Sequence, residues 1–513
     1  MPAQHGSNSG RAALVLIAVS IVVVLVVGAF GPTAAQAELP GGPAWLPPYG
    51  FGVDPGPMVV TVVLMAAVLV GGAGLFVALS ALERGWRPDV RRLTWIGVAS
   101  TVAMVLVGPM GSTDVLIYAG YGRLAATGGN PYIDTVRELI TGRDPVGIAN
   151  IGIRWVDTTS VYGPIMSGVQ TVGSLIGGSS VHTTVFVYTA FGAVCYLITG
   201  LLLRRMAGAD QLRQARVALL WTVNPVLLFI AVNSGHADTI GIMFVAGALL
   251  ALSRRRWIIV GVLLGMACAV KITFGIAVLA VIIVLRRQPR RLAVVLVSGL
   301  VVGAISYLIA GPEAIRSTLL ATGKYASASP LRWPLYPLSE VVGLRRGVTI
   351  IVATGWLLML VYGLLFHKLM PAQQVVTGSV TPGEPGATGD RQDLLGQLVP
   401  VLSALGIGWA LTSAYTLPWY DVLGWAPLTL VVGAPLVDRV LTIRTTALIC
   451  AYLPGAAYYF PPAVQLLTDG ARNVMGPAVS LMLMAVVVVA VVRRRSAGRA
   501  APEAVTPPPS DTP

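Results

Sequence analysis

The sequence predicts an all-α integral membrane protein with about fourteen transmembrane helices. Three observations carry that prediction. Of 513 residues, 55% are hydrophobic and only 11% are charged. Apolar runs such as Val60 to Leu79 and Val474 to Val492 are long enough to cross a hydrocarbon core about 30 Å thick. Most of the 35 Lys and Arg residues fall in alternate connections between these runs, as expected when cytoplasmic loops are positive. The net charge of +14 therefore reads as topology, not as a nucleic-acid surface.

Taken in order, the first span is expected at about 12–30. Arg11, this run and Ala35-Gln36-Ala37 resemble a secretory signal, but the run is long for one and a retained helix is expected. The second span, about 58–82, leads into the Arg-rich connection 83–92, which must be cytoplasmic. A third, about 92–109, opens into a long outer loop, 110–180. The fourth, about 181–203, ends at Arg204-Arg205. The fifth, about 216–232, emerges at Asn233-Ser234-Gly235-His236-Ala237-Asp238, and the sixth returns to Arg254-Arg255-Arg256.

Residues 257–285 decide the parity. A single helix there would place Arg286, Arg287, Arg290 and Arg291 outside, against the charge bias. Two arms of about 14 residues meeting near Lys271 restore it, each reaching about 21 Å at 1.5 Å per residue. That is short of the core, so Lys271 is expected below the headgroups, where an ionisable residue is a functional candidate by default. The ninth span, about 291–310, opens into a second long outer loop, 311–347. The tenth, about 348–366, descends to a flexible cytoplasmic linker, 371–395, containing Pro-Gly-Glu-Pro-Gly. Spans at about 396–413, 422–437, 443–459 and 474–492 complete one polytopic domain, residues 1–492. A disordered cytoplasmic tail, 493–513, follows. Both termini are then cytoplasmic in a multi-pass plasma-membrane protein. No internal repeat is visible, unlike many transporters with two matched halves.

Several motifs sit in the outer connections. Asp114 follows Ser112-Thr113; if the next stretch is helical, Tyr118 and Tyr121 share its face while Arg123 points nearly opposite. Helix capping and proton transfer are both open for Asp114, and one residue can do both. Gly128-Gly129-Asn130-Pro131-Tyr132 ends that helix, and Asp157 and Tyr162 follow in the same loop, as solvated or turn residues or as substrate contacts. Residues 164–178 read as amphipathic. His236 and Asp238, two apart, cannot share a helical face and are expected to meet in a turn, either structurally or to hold a phosphate or sugar. Lys271 is the natural partner for a phosphate beneath the headgroups, or a lysine that snorkels out. Tyr415-Thr416-Leu417-Pro418-Trp419-Tyr420-Asp421 offers Trp419 and Tyr420 to a sugar or lipid, or to an ordinary membrane belt. The 311–347 loop adds Trp333 and Tyr336 and five basic residues, Arg316, Lys324, Arg332, Arg345 and Arg346, which run against the bias, so that some of them are expected to meet an anion. Cys195, Cys268 and Cys450 lie in apolar segments without metal-ligand spacing and read as buried core thiols; no cofactor is expected.

No Walker loop, dinucleotide fingerprint or Ser/His/Asp arrangement is present. One acid, anion-binding bases and aromatics around an outer cavity suit glycosyl transfer from a polyprenyl-phosphate sugar: cations offset the leaving phosphate and a carboxylate takes the acceptor's proton. One base with in-line attack implies inversion, since double displacement needs a second carboxylate.

The many short-looped spans, the acid in the first long outer loop, and Ser-Gly-His-Ala-Asp after Trp221-Thr222-Val223-Asn224-Pro225 resemble the type C glycosyltransferase superfamily. Within it, Ser112-Thr113-Asp114 through Gly129-Asn130-Pro131-Tyr132, Tyr162-Gly163-Pro164 and Ala269-Val270-Lys271 resemble the actinobacterial polyprenol-phosphomannose-dependent α-1,6-mannosyltransferases that build lipomannan. The resemblance covers residues 90–290 well, and the late spans mainly through Pro418-Trp419-Tyr420. It implies a catalytic Asp at 114, a polyprenyl-phosphate mannose donor, a glycolipid or mannan acceptor, and no obligatory metal. The chain departs in carrying Ala237 where related sequences often carry Asn. Rival readings are an arabinosyl or protein mannosyl transferase, and a lipid or sugar transporter. The adjacent acids of protein mannosyltransferases are missing, because Asp114 precedes Val115. A transporter predicts ionisable residues deep in several spans, whereas most charges here lie at span ends.

Overall fold

The computed structural model describes residues 2–320, 323–373, 393–455 and 460–500. They are helical, with no strand among the described residues beyond two isolated bridges, Thr33 with Gln36 and Tyr49 with Val107. Helices α1 (Pro2–Ala29) and α2 (Pro57–Glu83) pack along one another, and α3 (Val90–Leu106) leads into the first long segment. That segment holds four helices, α4 (Asp114–Ala126), α5 (Val136–Thr141), α6 (Pro145–Ile148) and α7 (Pro164–Gly177). After α8 (Val181–Ala207) come α9 (Gln211–Val217) and α10 (Pro225–Leu227), joined by π-helical turns into one wound element, and then α11 (Asp238–Ser253).

Gln211–Asn233 forms the centre, and its most apolar stretch is wholly buried. Its winding breaks at Asn224-Pro225 for a local reason. Proline has no N–H to give, and the Asn224 side chain accepts from the backbone of Val226 and Leu227 while donating to the Leu220 carbonyl. The one charge in this buried stretch, Arg216, is matched by a two-pronged pair with Asp438, both bonds 2.7 Å. Removing either partner of such a pair costs about 3–5 kcal/mol.

Residues 257–285 divide as the charge bias requires, into α12 (Trp257–Val270) and α13 (Gly275–Leu285), with one 3-10 turn at Ile272–Phe274. Lys271 sits in the break with extended backbone, φ −158° and ψ 126°. Helix α14 (Pro289–Ala310) lies against α12 with Val295 as its buried residue, leaving an apolar face such as lipid would cover. The second long segment holds α15 (Pro312–Leu320) and α16 (Arg332–Val342), and α17 (Leu344–Leu369) follows. Most of the linker expected at 371–395 lies outside the described residues.

Helix α18 (Leu394–Thr412) is followed by the 3-10 turn Pro418–Asp421, α19 (Val422–Leu428) and α20 (Pro435–Tyr452). Here the sequence reading needs correction. The spans expected at 422–437 and 443–459 are instead a short α19 and a long α20, because Pro427 weakens the first helix and Pro435 starts the second. Finally α21 (Pro462–Gly470) turns into α22 (Gly476–Ala500), which continues past the boundary drawn at residue 492. The tail was expected to be disordered from 493, but 493–500 extend this helix; 501–513 lie outside the described residues.

Eight of these helical stretches are long and apolar enough to cross a membrane, with shorter apolar helices at Asp238–Ser253, Trp257–Val270 and Ile272–Leu285. The protein is an all-α membrane protein.

Candidate functional site

The starts of α4 and α11 are fastened to each other. Asn233 accepts from the Met110 amide (3.1 Å) and donates to the carbonyls of Met104 and Gly108 (3.0 and 3.1 Å). Ser234 donates to the Met110 carbonyl at 2.5 Å. Gly235 then turns through a left-handed conformation, φ +67°, where a side chain would also meet Thr189 and Val115. These contacts bring His236 over Asp114.

Asp114 opens α4, where the helix dipole favours an anion. Its amide is accepted by the Ser112 hydroxyl at 3.1 Å. Its carboxyl is 17% exposed. Burial raises it from the usual 3.8 to about 6, with the Lys271 charge pulling the other way and Asp238 adding to the rise. His236 Nδ1 stands 3.7 Å from Asp114 Oδ2. The imidazole lies flat on Trp419, with centroids 3.6 Å apart and planes 14° apart. Burial first, and the Lys271 charge second, push this imidazole well below its usual range, so it is neutral.

Asp238 faces away from His236. It begins α11 and pairs with Lys271 Nζ through both oxygens, at 3.1 and 3.0 Å. The expected meeting of His236 and Asp238 in one turn therefore does not occur, because the Gly235 turn and the start of α11 aim the two side chains at different partners. Lys271 also lies 3.9 Å from the Tyr420 ring centroid, a cation–π contact. The break carrying Lys271 is braced by Gly163, whose amide donates to the Val270 carbonyl at 3.0 Å. Gly163 fits so closely against the Ala269 carbonyl that a Cβ has no room.

These residues border a cavity of about 180 Å³. Its lining includes Asp114, Tyr121, Trp155, Thr158, Tyr162 and Lys271 from the first half of the chain, and Lys324, Trp356, Trp409, Tyr415, Trp419 and Tyr420 from later residues. Of the residues singled out in the sequence, Asp114, Tyr121, Tyr162, Lys271, Trp419 and Tyr420 reach it. Tyr118, His236 and Asp238 stand behind. Tyr118 is fully buried and accepts from the Tyr162 hydroxyl at 3.2 Å, with the rings edge to face at 5.0 Å. The sequence expected Tyr118 and Tyr121 on one presented face; instead Tyr121 donates to the Thr158 carbonyl at 3.0 Å and only its ring lines the space.

Asp157 is elsewhere. It lies exposed in a two-pronged pair with Arg137, both bonds 2.7 Å, and Arg137 holds its carboxyl below the usual range. It does not line the cavity, because Arg137, 20 residues earlier, folds back to claim it. Trp155, Trp356, Trp409 and Tyr415 were not expected as site residues, although Trp155 stands in the motif Arg154-Trp155-Val156-Asp157. Tyr415 lies in the late aromatic motif, but the others carry no signal beyond an ordinary aromatic in an apolar chain. Lys324 was visible only as one of several basic residues on the unexpected side. Among the described residues, no group of three or more His, Cys, Asp or Glu side chains converges as a metal site.

The cavity thus combines one carboxylate near neutrality, two cations and a set of stacked aromatics. Such a set can take a proton, offset an anionic leaving group and hold a sugar ring. The sequence family described as "Alpha-(1->6)-mannopyranosyltransferase, N-terminal domain" matches residues 15–287. Alpha-(1->6)-mannopyranosyltransferase A of Corynebacterium glutamicum is 24% identical over 179 residues, which cover 35% of this chain and 36% of that protein. The match thus spans little more than a third of that relative's length. No solved structure matches the chain.

Proposed function

The chain belongs to the alpha-(1->6)-mannopyranosyltransferase family, and from that premise we propose that it transfers mannose from a polyprenyl-phosphate donor to a cell-envelope glycolipid or mannan acceptor. In this reading the reaction runs at the outer face of the plasma membrane. It inverts the anomeric centre and forms an α-linked product, with 1,6 as the linkage. The bias of basic residues toward one set of connections supports that orientation.

The chemistry follows from the cavity. The acceptor hydroxyl gives its proton to Asp114 as its oxygen bonds to the anomeric carbon. The bond from that carbon to the phosphate oxygen breaks, and the lipid phosphate leaves with the electron pair. Lys271 and Lys324 border the same space and offset the charge that develops on the leaving group. Trp419, Tyr420 and Tyr415 supply flat apolar surfaces for the sugar ring. Among the described residues Asp114 is the one carboxylate lining the cavity, while Asp238 lies behind it bound to Lys271. Direct displacement fits this set better than a double displacement, which needs a second carboxylate as nucleophile.

The observation that carries the proposal is one carboxylate, alone among the described residues lining this cavity, sharing it with two lysines and a set of aromatic rings. The test uses membranes containing the full chain, a radiolabelled polyprenyl-phosphate mannose and an α-mannoside acceptor. Wild type is expected to extend the acceptor, and Asp114→Asn to lose transfer by about a hundredfold or more. Equal turnover by both removes Asp114 as the base. Transfer of arabinose but not mannose by wild type overturns the donor assignment.

A further inference from the structure

Lys271 is the cation the sequence offers for a phosphate, yet its charge is already matched by both oxygens of Asp238. The unmatched charge is that of Lys324, which lines the same cavity. Lys324 Nζ rests 4.7 Å from the centroid of the Trp155 ring, and the Arg154 guanidinium carbon 5.2 Å from the same centroid. Among the described residues neither makes a salt bridge. Two like charges gathered on one indole repel each other. Burial and the Arg154 charge together lower the Lys324 ammonium below its usual range, with Asp114 opposing.

The fold holds Lys324 in this position from both sides. Ser317 of α15 donates to the Ser160 carbonyl at 2.5 Å, which fixes the start of the segment against the loop bearing Trp155. The Ala326 amide donates to the Ala414 carbonyl at 2.9 Å, and the Ser329 hydroxyl to that of Ser413 at 2.9 Å, which fix its end against the segment after α18. Lys324 and Trp155 line the cavity, and the exposed Arg154 rests on the same indole; two cations on one ring without a paired carboxylate form a site that an anion completes.

We propose that Lys324 and Arg154, both resting on Trp155, form a phosphate-binding subsite of this cavity, and that it takes the phosphate of a lipid-linked substrate. Lys271, shared with Asp238, then offsets only part of the leaving group's charge while it holds the α12–α13 break and Tyr420 in place. The assignment rests on the glycosyl-transfer reading for its role in turnover but not for its ligand chemistry. A phosphate monoester carrying a prenyl chain and the phosphodiester of a phospholipid-anchored acceptor share that chemistry.

The full chain, purified in detergent, is titrated with a short polyprenyl monophosphate, with phosphatidylglycerol and with the uncharged polyprenol, following quenching of tryptophan fluorescence. Lys324→Gln and Arg154→Gln are each expected to weaken binding of a phosphate lipid by about tenfold while leaving polyprenol binding unchanged. Lys324→Arg is expected to restore it, which separates lost charge from lost folding. Weakening confined to the polyprenyl phosphate identifies the donor as the source, and weakening confined to phosphatidylglycerol identifies the acceptor anchor. Wild-type affinity of both Gln variants for both phosphate lipids overturns the subsite. Asp157→Asn, outside the cavity, is expected to bind polyprenyl phosphate like wild type. Failure of mannosyl transfer in wild type sinks the functional reading while leaving the binding result intact.

Discussion

The imidazole of His236 points Nδ1 at Oδ2 of Asp114 across 3.7 Å, longer than a hydrogen bond but within reach of one after a small approach. Both ring nitrogens are buried without a hydrogen-bond partner among the described residues, and the ring cannot swing because it is stacked on Trp419. An N–H held there steadies the charged form of the carboxylate. His236→Phe, which keeps the stacked ring and loses the donor, is expected to lower kcat by about tenfold or more with KM little changed. His236→Asn, whose amide nitrogen occupies roughly the Nδ1 position, is expected to recover part of that loss. Steady-state kinetics on the three proteins decide the matter; equal rates for Phe and wild type rule out a role for Nδ1.

Asp114 is raised to about 6, which gives transfer a predictable acid limb. A base must be deprotonated, so kcat/KM is expected to climb through pH 6 and flatten above it. Below the limb it should fall about tenfold per pH unit. The sign for stability is the reverse. A raised carboxyl favours folding when protonated and loses that contribution as pH rises through about 6. Asp114→Asn is therefore expected to abolish turnover while leaving thermal stability at pH 7 equal or higher, measured by thermal shift in detergent.

The Lys271–Asp238 pair is buried, with side chains 10% and 3% exposed. Asp238→Asn leaves the ammonium without its partner and is expected to cost about 3–5 kcal/mol of stability. The double variant Lys271→Met, Asp238→Asn is expected to regain much of that stability without regaining activity, since the break then holds no charge near Tyr420. A double variant no more stable than Asp238→Asn shows that the pair does not account for the loss.

Asp157 provides a contrast. Its pair with Arg137 is more than half exposed on both sides, and such pairs contribute about 0–1 kcal/mol. Asp157→Asn is expected to transfer mannose within about twofold of wild type. A hundredfold loss would return this residue to the site.

Features coded locally were legible in the sequence. Lys271 interrupts an apolar stretch too long for one span and too evenly charged at its ends to reverse the topology, and the break lies there. Asp114 begins a helix with its amide donating to the Ser112 hydroxyl and no side-chain cap from Thr113, and Pro418-Trp419-Tyr420 marks a turn between helices. Features set by distant partners were not legible. Arg216 reads as a loop cation at the edge of a span, yet Asp438 draws it into the core. Arg444 and Asp421 form another buried pair, with Thr416, Thr445 and Trp425 tied in, which holds the Trp419-Tyr420 turn from behind. Nothing near residue 444 signals this. The spacing of His236 and Asp238 gives no hint that one turns to Trp419 and the other to Lys271. Asp157 resembles Asp114 in composition of its surroundings, and only the returning Arg137 separates them.

The residues lining the cavity come from two stretches of the chain. Asp114, the neighbouring imidazole of His236 and Lys271 lie within residues 15–287. Lys324, Trp356, Trp409, Tyr415, Trp419 and Tyr420 come from later residues. On the proposed reaction, the proton acceptor and most of the aromatic surface for the incoming sugar are thus written in separate parts of the gene product. Substitution in the later part is then free to reshape what is accommodated while the proton acceptor and its imidazole stay unaltered.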